Sequence, residues 1–175
     1  METLQARLAR GDQAAFAELY DTYADRLGHY LLVRLGSRDD AGDALQESFL
    51  RLARTRQGFA KVANLEAYVF TVARNESARF AASRARLERE RKPLTADDLF
   101  CCAPSDAEAR DIAEIVAAAM GQLSPELREV VELKTYAELT FQQISRVIGA
   151  PQGTVATRYR AALAKMQTWM ARQPK

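Results

Sequence analysis

The sequence contains few of the residues that form metal sites, redox centres or catalytic clusters. Of its 175 residues, one is histidine and two are cysteine. Cys101 and Cys102 are adjacent and therefore poorly placed to bridge each other, and His29 lies far from both. With no nucleophile–base pair or ligand cluster in view, we predict no catalytic residue, no metal site and no cofactor. We expect both thiols to be reduced, and a redox role is the alternative.

Glycine and proline are also scarce, and long apolar runs are missing. The chain has 8 glycines and 5 prolines, whereas Ala, Leu, Arg and Glu are abundant. This composition predicts an all-α protein. No apolar stretch approaches the length that spans a membrane, and residues 1–7 lack the core of a signal peptide. We therefore expect a cytoplasmic protein without membrane insertion.

Charge is unevenly distributed although the net charge is only +2. Residues 74–92 carry 7 basic and 3 acidic side chains, residues 97–139 carry 3 and 10, and residues 140–175 carry 6 and none. Two basic blocks around an acidic one are typical of a chain with two nucleic-acid contacts. The alternative is that each block is the solvated face of a helix.

Residues 140–166 form the most informative stretch, which we interpret as a short helix, a tight turn and a longer helix. Thr140 suits the N-cap of the first helix, because its hydroxyl can accept hydrogen bonds from free backbone N–H groups. Gly149 favours a left-handed helix end, and Pro151 cannot continue that helix. The second helix is expected to open at Gly153.

The second helix of this stretch has two different faces. The apolar face, which suits packing on the first helix, comprises Val155, Tyr159, Ala162, Leu163 and Met166. The other face has small residues, hydroxyls and cations but no acid, and its candidate DNA contacts are Thr154, Thr157, Arg158, Arg160 and Lys165. Short side chains let a helix approach base edges in the major groove, and cations contact phosphates or guanine. The pattern predicts a helix-turn-helix, with a surface helical hairpin as the alternative.

An earlier predicted helix, from residue 41 to about residue 54, has an apolar and a polar side. The residues expected to face inward are Leu45, Phe49 and Leu52. The polar set consists of Asp43, Gln46 and Glu47. That set is either ordinary solvated surface or a docking face for a basic partner helix.

Another helix is expected to follow Asn64, its predicted N-cap, and its second half is strongly basic. Residues 55–61 before it have broken periodicity and are predicted to form a loop. The aromatic residues Tyr68 and Phe70 precede a run of cations that begins at Arg74. Rings beside cations suit single-stranded DNA, since bases stack while phosphates are neutralised. The alternative is an aromatic core followed by a solvated helix end.

The predicted architecture is two small helical domains joined by a flexible linker. Residues 93–105 contain two prolines and no clear period, so we place the linker there. The domains then comprise residues 1–92 and 106–175, and the second contains the helix-turn-helix. Within it, Ser124 is predicted to cap a helix that has Pro125 at its first position.

Over residues 11–166 the chain resembles the extracytoplasmic-function (ECF) group of bacterial RNA polymerase sigma factors. Residues 11–16 are similar to the start of the family's promoter-melting domain. Similarity continues in the polymerase-binding helix at residues 43–52 and in the helix that meets the −10 element at residues 73–75. The domain that reads the −35 element is matched at residues 123–130 and 153–163.

The resemblance implies a partner for each candidate group. The clamp helices of the largest polymerase subunit would contact Asp43, Gln46 and Glu47, and the polymerase flap would be a further contact. The −10 element would be met by Tyr68, Arg74, Asn75 and Arg79, with Asn75 and residues 55–61 holding a flipped-out base. The −35 duplex would be bound by Thr154, Thr157, Arg158, Arg160 and Lys165. The expected partners are thus core polymerase, promoter DNA and an anti-sigma factor.

Two other function classes compete with this interpretation. A stand-alone helix-turn-helix regulator would explain residues 140–166 but not residues 43–52 or the aromatic and basic helix. An adaptor that binds polymerase without DNA would leave the acid-free helix face unexplained. Departures from the family pattern, such as Tyr68 in place of the usual Trp, prevent the promoter sequence of other members from being carried over.

Overall fold

The computed structural model describes residues 2–87 and 107–172, and all regular structure in those two ranges is helical. The first range contains α1 to α4 and a 3₁₀ helix before α4, with the bounds Leu4–Arg10, Gln13–Leu35, Arg38–Arg54, Arg56–Lys61 and Leu65–Leu87. The second contains α5 to α8, with the bounds Ala107–Gly121, Pro125–Thr135, Phe141–Ile148 and Gln152–Met170. The all-α prediction with two helical domains is confirmed. The predicted linker, Cys101 and Cys102 lie outside the described residues.

Local capping chemistry sets the starts of the first helices. Asp12 is the N-cap of α2, as predicted, and its carboxylate accepts from the backbone N–H groups of Ala14 at 2.9 Å and Ala15 at 3.3 Å. Arg7 donates to the same carboxylate at 3.0 Å, and this hydrogen bond, followed by the backbone bonds, lowers the pKa of Asp12. The preceding α1 was not predicted. It ends at Gly11, where φ of +84° lets the chain turn into α2.

Residues 55–61 are not the predicted loop, because Arg56–Lys61 forms a 3₁₀ helix. Phe59 explains the difference: its side chain is fully buried, and its ring contacts those of Phe16 and Tyr68 at centroid distances of 6.1 and 5.5 Å. A single buried anchor in a short 3₁₀ helix leaves no 3.6-residue apolar period for the sequence to show.

Helix α3 buries a different face from the predicted one. It begins at Arg38, three residues early, after the N-cap Ser37. Its buried residues are Ala41, Ala44, Ser48 and Leu52. Leu52 is therefore confirmed, but Leu45 and Phe49 are only half-buried. Small residues bring α3 close to α2 and α4, which leaves the larger side chains at the edge of the contact.

The helix-turn-helix stretch has its predicted caps. Thr140 and Gln143 form a capping box, in which the Gln143 N–H donates to the Thr140 hydroxyl at 3.2 Å and the Thr140 N–H to the Gln143 side chain at 2.8 Å. Gly149 ends α7 with φ of +68°. The next helix, α8, begins at Gln152 after Pro151, one residue before the predicted start. Ser124 is the N-cap of α6 by position, with Pro125 at the first turn, although its hydroxyl makes no capping bond.

One residue of the predicted apolar face of α8 is wrong. Val155, Ala162 and Met166 are buried and Tyr159 is half-buried, whereas Leu163 is 38% exposed. At 100° per residue, Leu163 lies beyond the contact that α8 makes with its neighbours. The face that packs inside is accordingly narrower than the sequence pattern suggested.

The two helical domains pack against each other. Helix α4 contacts α7, and α2 contacts α6. Tyr30 and Phe70 of the first domain belong to the same buried cluster as Leu133, Leu139 and Ile144 of the second. One buried cluster therefore includes apolar residues of both helical domains.

Candidate nucleic-acid and partner interfaces

The outward face of α8 carries all five residues predicted to contact paired DNA. Four are exposed and one, Arg158, is half-buried. These residues are Thr154, Thr157, Arg158, Arg160 and Lys165. None of them makes a hydrogen bond or an ion pair within residues 2–87 and 107–172. Ala161 and Ala164 on this face are also exposed. The helix therefore presents free hydroxyls and cations around a low, open surface.

Aromatic packing fixes α8 on its neighbours. The rings of Phe141 on α7 and Tyr159 on α8 lie 5.5 Å apart, centroid to centroid. The Lys134 amine lies 5.6 Å from the centre of the Phe141 ring. Val155 and Ala162 are fully buried beneath α8. These contacts orient the free face of α8 as a rigid unit, which is a requirement for reading a groove.

The residues predicted to contact single-stranded DNA lie along α4 and its approach. Tyr68, Asn75 and Arg79 are seven and four positions apart, so they share one side of the helix. Asn75 and Arg79 are exposed, and Tyr68 is half-buried. The Tyr68 hydroxyl lies 3.4 Å from that of Thr55, beside the 3₁₀ helix. The structure thus brings Tyr68 and the 55–61 segment together, with Asn75 two turns along α4.

Glu76 is a buried acid on this helix that the sequence analysis missed. Its side chain is 5% exposed and lies between two cations: the Arg51 Nε is 3.3 Å and the Arg79 Nη1 is 3.3 Å from its carboxylate. The sequence did carry a signal for this contact, because Glu76 lies between Arg74 and Arg79 on the predicted helix. Glu76 ties α3 to α4 and engages Arg79 at the edge of the candidate surface.

The predicted docking face on α3 is exposed and adjoins an apolar groove. Asp43, Gln46 and Glu47 all point away from the core. The groove beside them, between α2 and α3, is lined by Tyr20, Gly42, Leu45, Gln46, Phe49 and Leu50. Tyr20 is 50% and Leu50 38% exposed, and the Tyr20 and Phe49 rings lie 4.8 Å apart. The sequence pattern includes Tyr20 in the apolar stripe of α2, which predicts burial, and the structure shows that this prediction is wrong. Leu50 was not singled out, although a large apolar residue on the polar side of a helix is a usable signal.

Arg74, the fourth residue predicted to meet the −10 strand, is engaged by the second domain. Its Nε and Nη2 contact the two carboxylate oxygens of Glu129 on α6 at 2.8 and 3.1 Å. Arg34 on α2 also binds Glu129, at 2.9 Å, and binds Glu132 at 2.9 Å. The Arg34 Nε donates to the Ser77 hydroxyl at 2.9 Å. We call Arg34, Arg74, Ser77, Glu129 and Glu132 the α6 ion cluster.

Burial and charge act differently on the two acids of this cluster. Burial raises the pKa of Glu132, and the positive charge of Arg34 only partly opposes that rise. Burial also favours the neutral form of Glu129, but the Arg74 hydrogen bond and the Arg34 charge outweigh it and hold the pKa of Glu129 below its usual value. Glu129 is therefore the firmly ionised partner of both guanidinium groups.

A second polar contact joins the domains at the other end of α4. Arg26 on α2 contacts the Glu66 carboxylate at 2.6 Å, and it donates to the backbone carbonyl of Ala137. The Arg26 guanidinium also lies 5.4 Å from the centre of the Phe70 ring. Gln143 of α7 donates to Glu66.

The part of the chain that the structure describes lacks two kinds of feature, a membrane-spanning helix and a metal-binding cluster. No helix there is both long enough and apolar enough to cross a membrane. No group of three or more His, Cys, Asp or Glu side chains there is arranged to hold a metal ion.

Comparison with known families and proteins gives a consistent match. Residues 19–87 match the family model of Sigma-70 region 2, and residues 113–166 match that of Sigma-70, region 4. The ECF RNA polymerase sigma factor SigL of Mycobacterium tuberculosis is 30% identical over 162 residues, which cover 89% of this chain and 88% of SigL.

Two further similarities extend this match. The ECF RNA polymerase sigma factor BldN of Streptomyces coelicolor is 31% identical over 165 residues, which cover 92% of this chain but only 62% of BldN. The solved structure of CnrH in complex with the cytosolic domain of CnrY superimposes with a TM-score of 0.75 at 22% identity, and covers 98% of this chain and 97% of CnrH. The CnrH similarity concerns the fold, and it extends over both helical domains.

Proposed function

The chain belongs to the ECF RNA polymerase sigma factors, the promoter-directing subunits of transcription initiation, and we propose that it acts through three separate surfaces. One surface binds the core polymerase and two bind promoter DNA. The chain works by binding rather than by catalysis, in the cytoplasm where the polymerase transcribes. The exposed and acid-free face of α8 is the observation that carries this proposal.

The −35 contact is assigned to α8. Thr154 and Thr157 are exposed near its N-terminal end, where a helix enters the major groove in helix-turn-helix proteins. Arg160 and Lys165 are exposed further along and suit phosphates or guanine, and Arg158 lies at the edge of the face. Exposed Ala161 and Ala164 permit close approach to the duplex.

The −10 contact is assigned to α4 and the 3₁₀ helix before it. Asn75 offers an exposed amide for a base edge, and Arg79 is an exposed cation for the strand. Tyr68 and the adjacent Arg56–Lys61 segment form a wall on the same side of α4, two turns before Asn75, that is suited to hold an unstacked base. Arg74, which is paired with Glu129, is the remaining cation of the proposed set.

The polymerase contact is assigned to α3. The exposed acids Asp43 and Glu47 lie beside the apolar groove that contains Tyr20 and Phe49. A partner helix that fits both features is amphipathic, with basic residues opposite the acids and apolar residues in the groove. The clamp helices of the largest polymerase subunit are the proposed partner, and the flap is proposed to contact the second domain.

An anti-sigma factor is the proposed regulatory partner. CnrH, the fold neighbour described above, was solved in complex with the cytosolic domain of CnrY. Our chain shares the CnrH fold over both domains, which supports a regulatory protein partner for it as well.

In vitro transcription with core polymerase tests the proposed function. Purified chain plus core enzyme should initiate at a defined set of start sites on genomic templates, and core enzyme alone should not. Removing the α8 cations with Arg158→Ala and Arg160→Ala should abolish these starts. The matched control is Arg172→Ala, which removes an exposed cation just past the end of α8. Failure of the wild-type chain to direct initiation at any site would refute the proposal.

A stand-alone DNA-binding regulator is the second candidate, because the free α8 face needs no polymerase to be accessible. A gel shift on the mapped promoter without polymerase separates the two functions. Tight, sequence-specific binding by the chain alone would favour the regulator, whereas binding that requires core enzyme supports the sigma factor.

A further inference from the structure

Glu76 is a buried acid that contacts an exposed arginine on the same helix. Its side chain is 5% exposed, whereas that of Arg79 is 66% exposed. The Arg79 Nη1 lies 3.3 Å from both carboxylate oxygens of Glu76, three positions away along α4. A second cation, the Nε of Arg51 on α3, lies 3.3 Å from the same carboxylate. Because a buried carboxylate needs compensating charge, Glu76 restrains the orientation of both arginines.

The contact with Glu76 engages one nitrogen of the Arg79 guanidinium. Within residues 2–87 and 107–172, the Arg79 Nε and Nη2 make no hydrogen bond or ion pair. These two nitrogens carry the parallel N–H bonds with which an arginine binds a pair of acceptors. Arg74, in contrast, uses its Nε and Nη2 for the Glu129 carboxylate. Arg79 is therefore held through Nη1 while its two-donor edge is available.

The available edge of Arg79 lies next to the proposed base pocket. Arg79 follows Asn75 by four positions, so the two residues share one side of α4 and are about 6 Å apart along its axis. Both side chains are exposed. A strand that runs along this side from Tyr68 past Asn75 would reach Arg79 next. The group that meets Arg79 is therefore a neighbour of the base assigned to Asn75.

The charge around Arg79 favours a base over a phosphate. Glu76 offsets one of the two cations beside it, and its buried carboxylate, which salt screens weakly, would repel a phosphate. A base is neutral and escapes this repulsion. Guanine presents two adjacent acceptors, O6 and N7, that match the parallel N–H bonds of an arginine. Restraint of Arg79 by Glu76 also reduces the entropy lost when such a contact forms.

We propose that Glu76 is a positioning residue, which orients Arg79 so that its Nε and Nη2 bind a guanine of the opened −10 strand. The inference rests on the proposed −10 role of α4 and adds a base preference to it. Glu76 acts through Arg79 and does not itself contact DNA. Promoters used by this chain should accordingly carry guanine beside the base that Asn75 holds.

The first step of the test locates the position that Arg79 contacts. The chain assembled with core polymerase is mixed with random-sequence 20-nucleotide single strands, and the bound strands are sequenced. Core polymerase alone gives the background. The wild type should enrich guanine at one position of the selected motif. Arg79→Gln should lose enrichment at that position and keep it elsewhere in the motif.

The second step measures affinity by fluorescence anisotropy, with guanine, adenine or 7-deazaguanine at that position of a fluorescein-labelled strand. The assembled wild type should prefer guanine about tenfold over adenine and over 7-deazaguanine, which lacks N7. Arg79→Lys, which keeps the charge but not the parallel N–H bonds, should remove the preference.

Glu76→Gln should produce two opposite changes, which distinguish positioning from a structural defect. The guanine preference should fall below about threefold. Affinity for all three strands should rise severalfold, because a negative charge near the strand is removed. The matched control is Glu66→Gln, which removes an acid of the same helix that pairs with Arg26 instead of Arg79. This control should keep the guanine preference.

Several outcomes would overturn the proposal. A guanine preference that survives Glu76→Gln, or one that Glu66→Gln reduces equally, would contradict the positioning role. An equal loss of affinity for every strand in Arg79→Lys would assign Arg79 to a phosphate. Because Arg79 is exposed, that variant decides the question even if circular dichroism shows Glu76→Gln to be unfolded. A selected motif without an Arg79-dependent guanine would overturn this inference alone, whereas a wild type that selects no motif would overturn the −10 role of α4 with it.

Discussion

Helices α4 and α8 carry the two sets of predicted DNA contacts, yet their surroundings differ. The α8 set makes no hydrogen bond or ion pair with the described part of the chain. On α4, Arg74 is bound to Glu129 and Arg79 to Glu76. The residues predicted to contact duplex DNA are therefore unpaired within the described structure, whereas two of the cations predicted to contact the opened strand are held by the protein's own acids.

The position of each helix explains the difference. One face of α8 packs on α5, α6 and α7, and the opposite face meets solvent. In contrast, α4 contacts α2 and α3 within its own domain and α7 across the domain boundary. Phe70 lies fully buried at this centre, 5.9 Å from the Tyr30 ring. Substitutions near α4 should accordingly affect stability and DNA binding together, and those on α8 should affect binding alone.

The largest expected effect is on stability, from Phe70→Ala. Loss of a fully buried ring leaves a cavity beneath α4 and should lower the free energy of unfolding by about 3–5 kcal/mol. Phe141→Ala, at a half-buried ring below α8, is the matched control and should cost less. Urea unfolding followed by circular dichroism measures both. Equal losses would show that α4 is no more central to the fold than α8.

The next expected effect is on DNA affinity, and it distinguishes the role of α8 from that of α4. Arg158→Ala and Arg160→Ala should each weaken binding of the polymerase complex to −35 DNA by about 1–3 kcal/mol if the side chain contacts a base. The unfolding free energy should stay within about 0.5 kcal/mol, because neither residue has a partner in the described structure. Gel shifts with assembled polymerase and urea unfolding provide the two numbers. Unchanged transcription from the double variant would contradict the assignment of α8.

A smaller effect is expected at the polymerase-docking face. Glu47→Lys reverses an exposed charge beside the α3 groove and should weaken core-polymerase binding severalfold, mainly through slower association. Glu114→Lys makes the same change at an exposed site on α5 and serves as the control. Surface plasmon resonance with immobilised core enzyme measures both. A comparable loss for the two variants would mean that net charge, rather than the α3 face, governs association.

The smallest effect is a pH dependence of domain packing. Burial alone would raise the pKa of Glu129, but the contacts with Arg74 and Arg34 outweigh burial, so the pKa lies below its ordinary value of 4.5. Ionised Glu129 therefore stabilises the packed state at neutral pH. That gain is lost as the pH falls through the lowered pKa. Burial raises the pKa of Glu132, so its protonation at a higher pH favours the packed state and opposes the loss.

Scattering measured from pH 7 down to below pH 4.5 tests these signs. The wild type should expand only at the acid end, whereas Glu129→Gln should show a flatter profile because it lacks the group that loses its charge. Glu132→Gln should keep the acid-end expansion. An expansion of Glu129→Gln that follows the wild type would show that another group controls packing.

Features governed by neighbouring residues were predictable from the sequence. Asp12, Asn64 and Thr140 are the predicted caps, because capping depends on a hydroxyl, amide or carboxylate within three residues of free N–H groups. The exposed face of α8 was equally readable, since the absence of acids and the helical period are both local. Only Leu163 was misplaced, at the edge of the buried stripe.

Features governed by distant residues were not predictable in this way. The tilt of α3 depends on how closely Ala41, Ala44 and Ser48 let it approach other helices, so its buried face differs from the one that Leu45 and Phe49 suggested. Glu129 meets Arg74 across 55 positions of sequence. A charge pattern shows that acids and cations exist in separate blocks, but it does not say which of them meet.

The apolar core common to both domains also bears on how long the chain survives alone. Pulling the halves apart would expose Leu133 and Ile144 on one side and Tyr30 and Phe70 on the other to water. Such surfaces promote aggregation, and the loosened chain offers cleavage sites to proteases. Chains whose domains separate without core polymerase to bind would be degraded first. The degradation rate in the cell should therefore rise when free core polymerase is scarce.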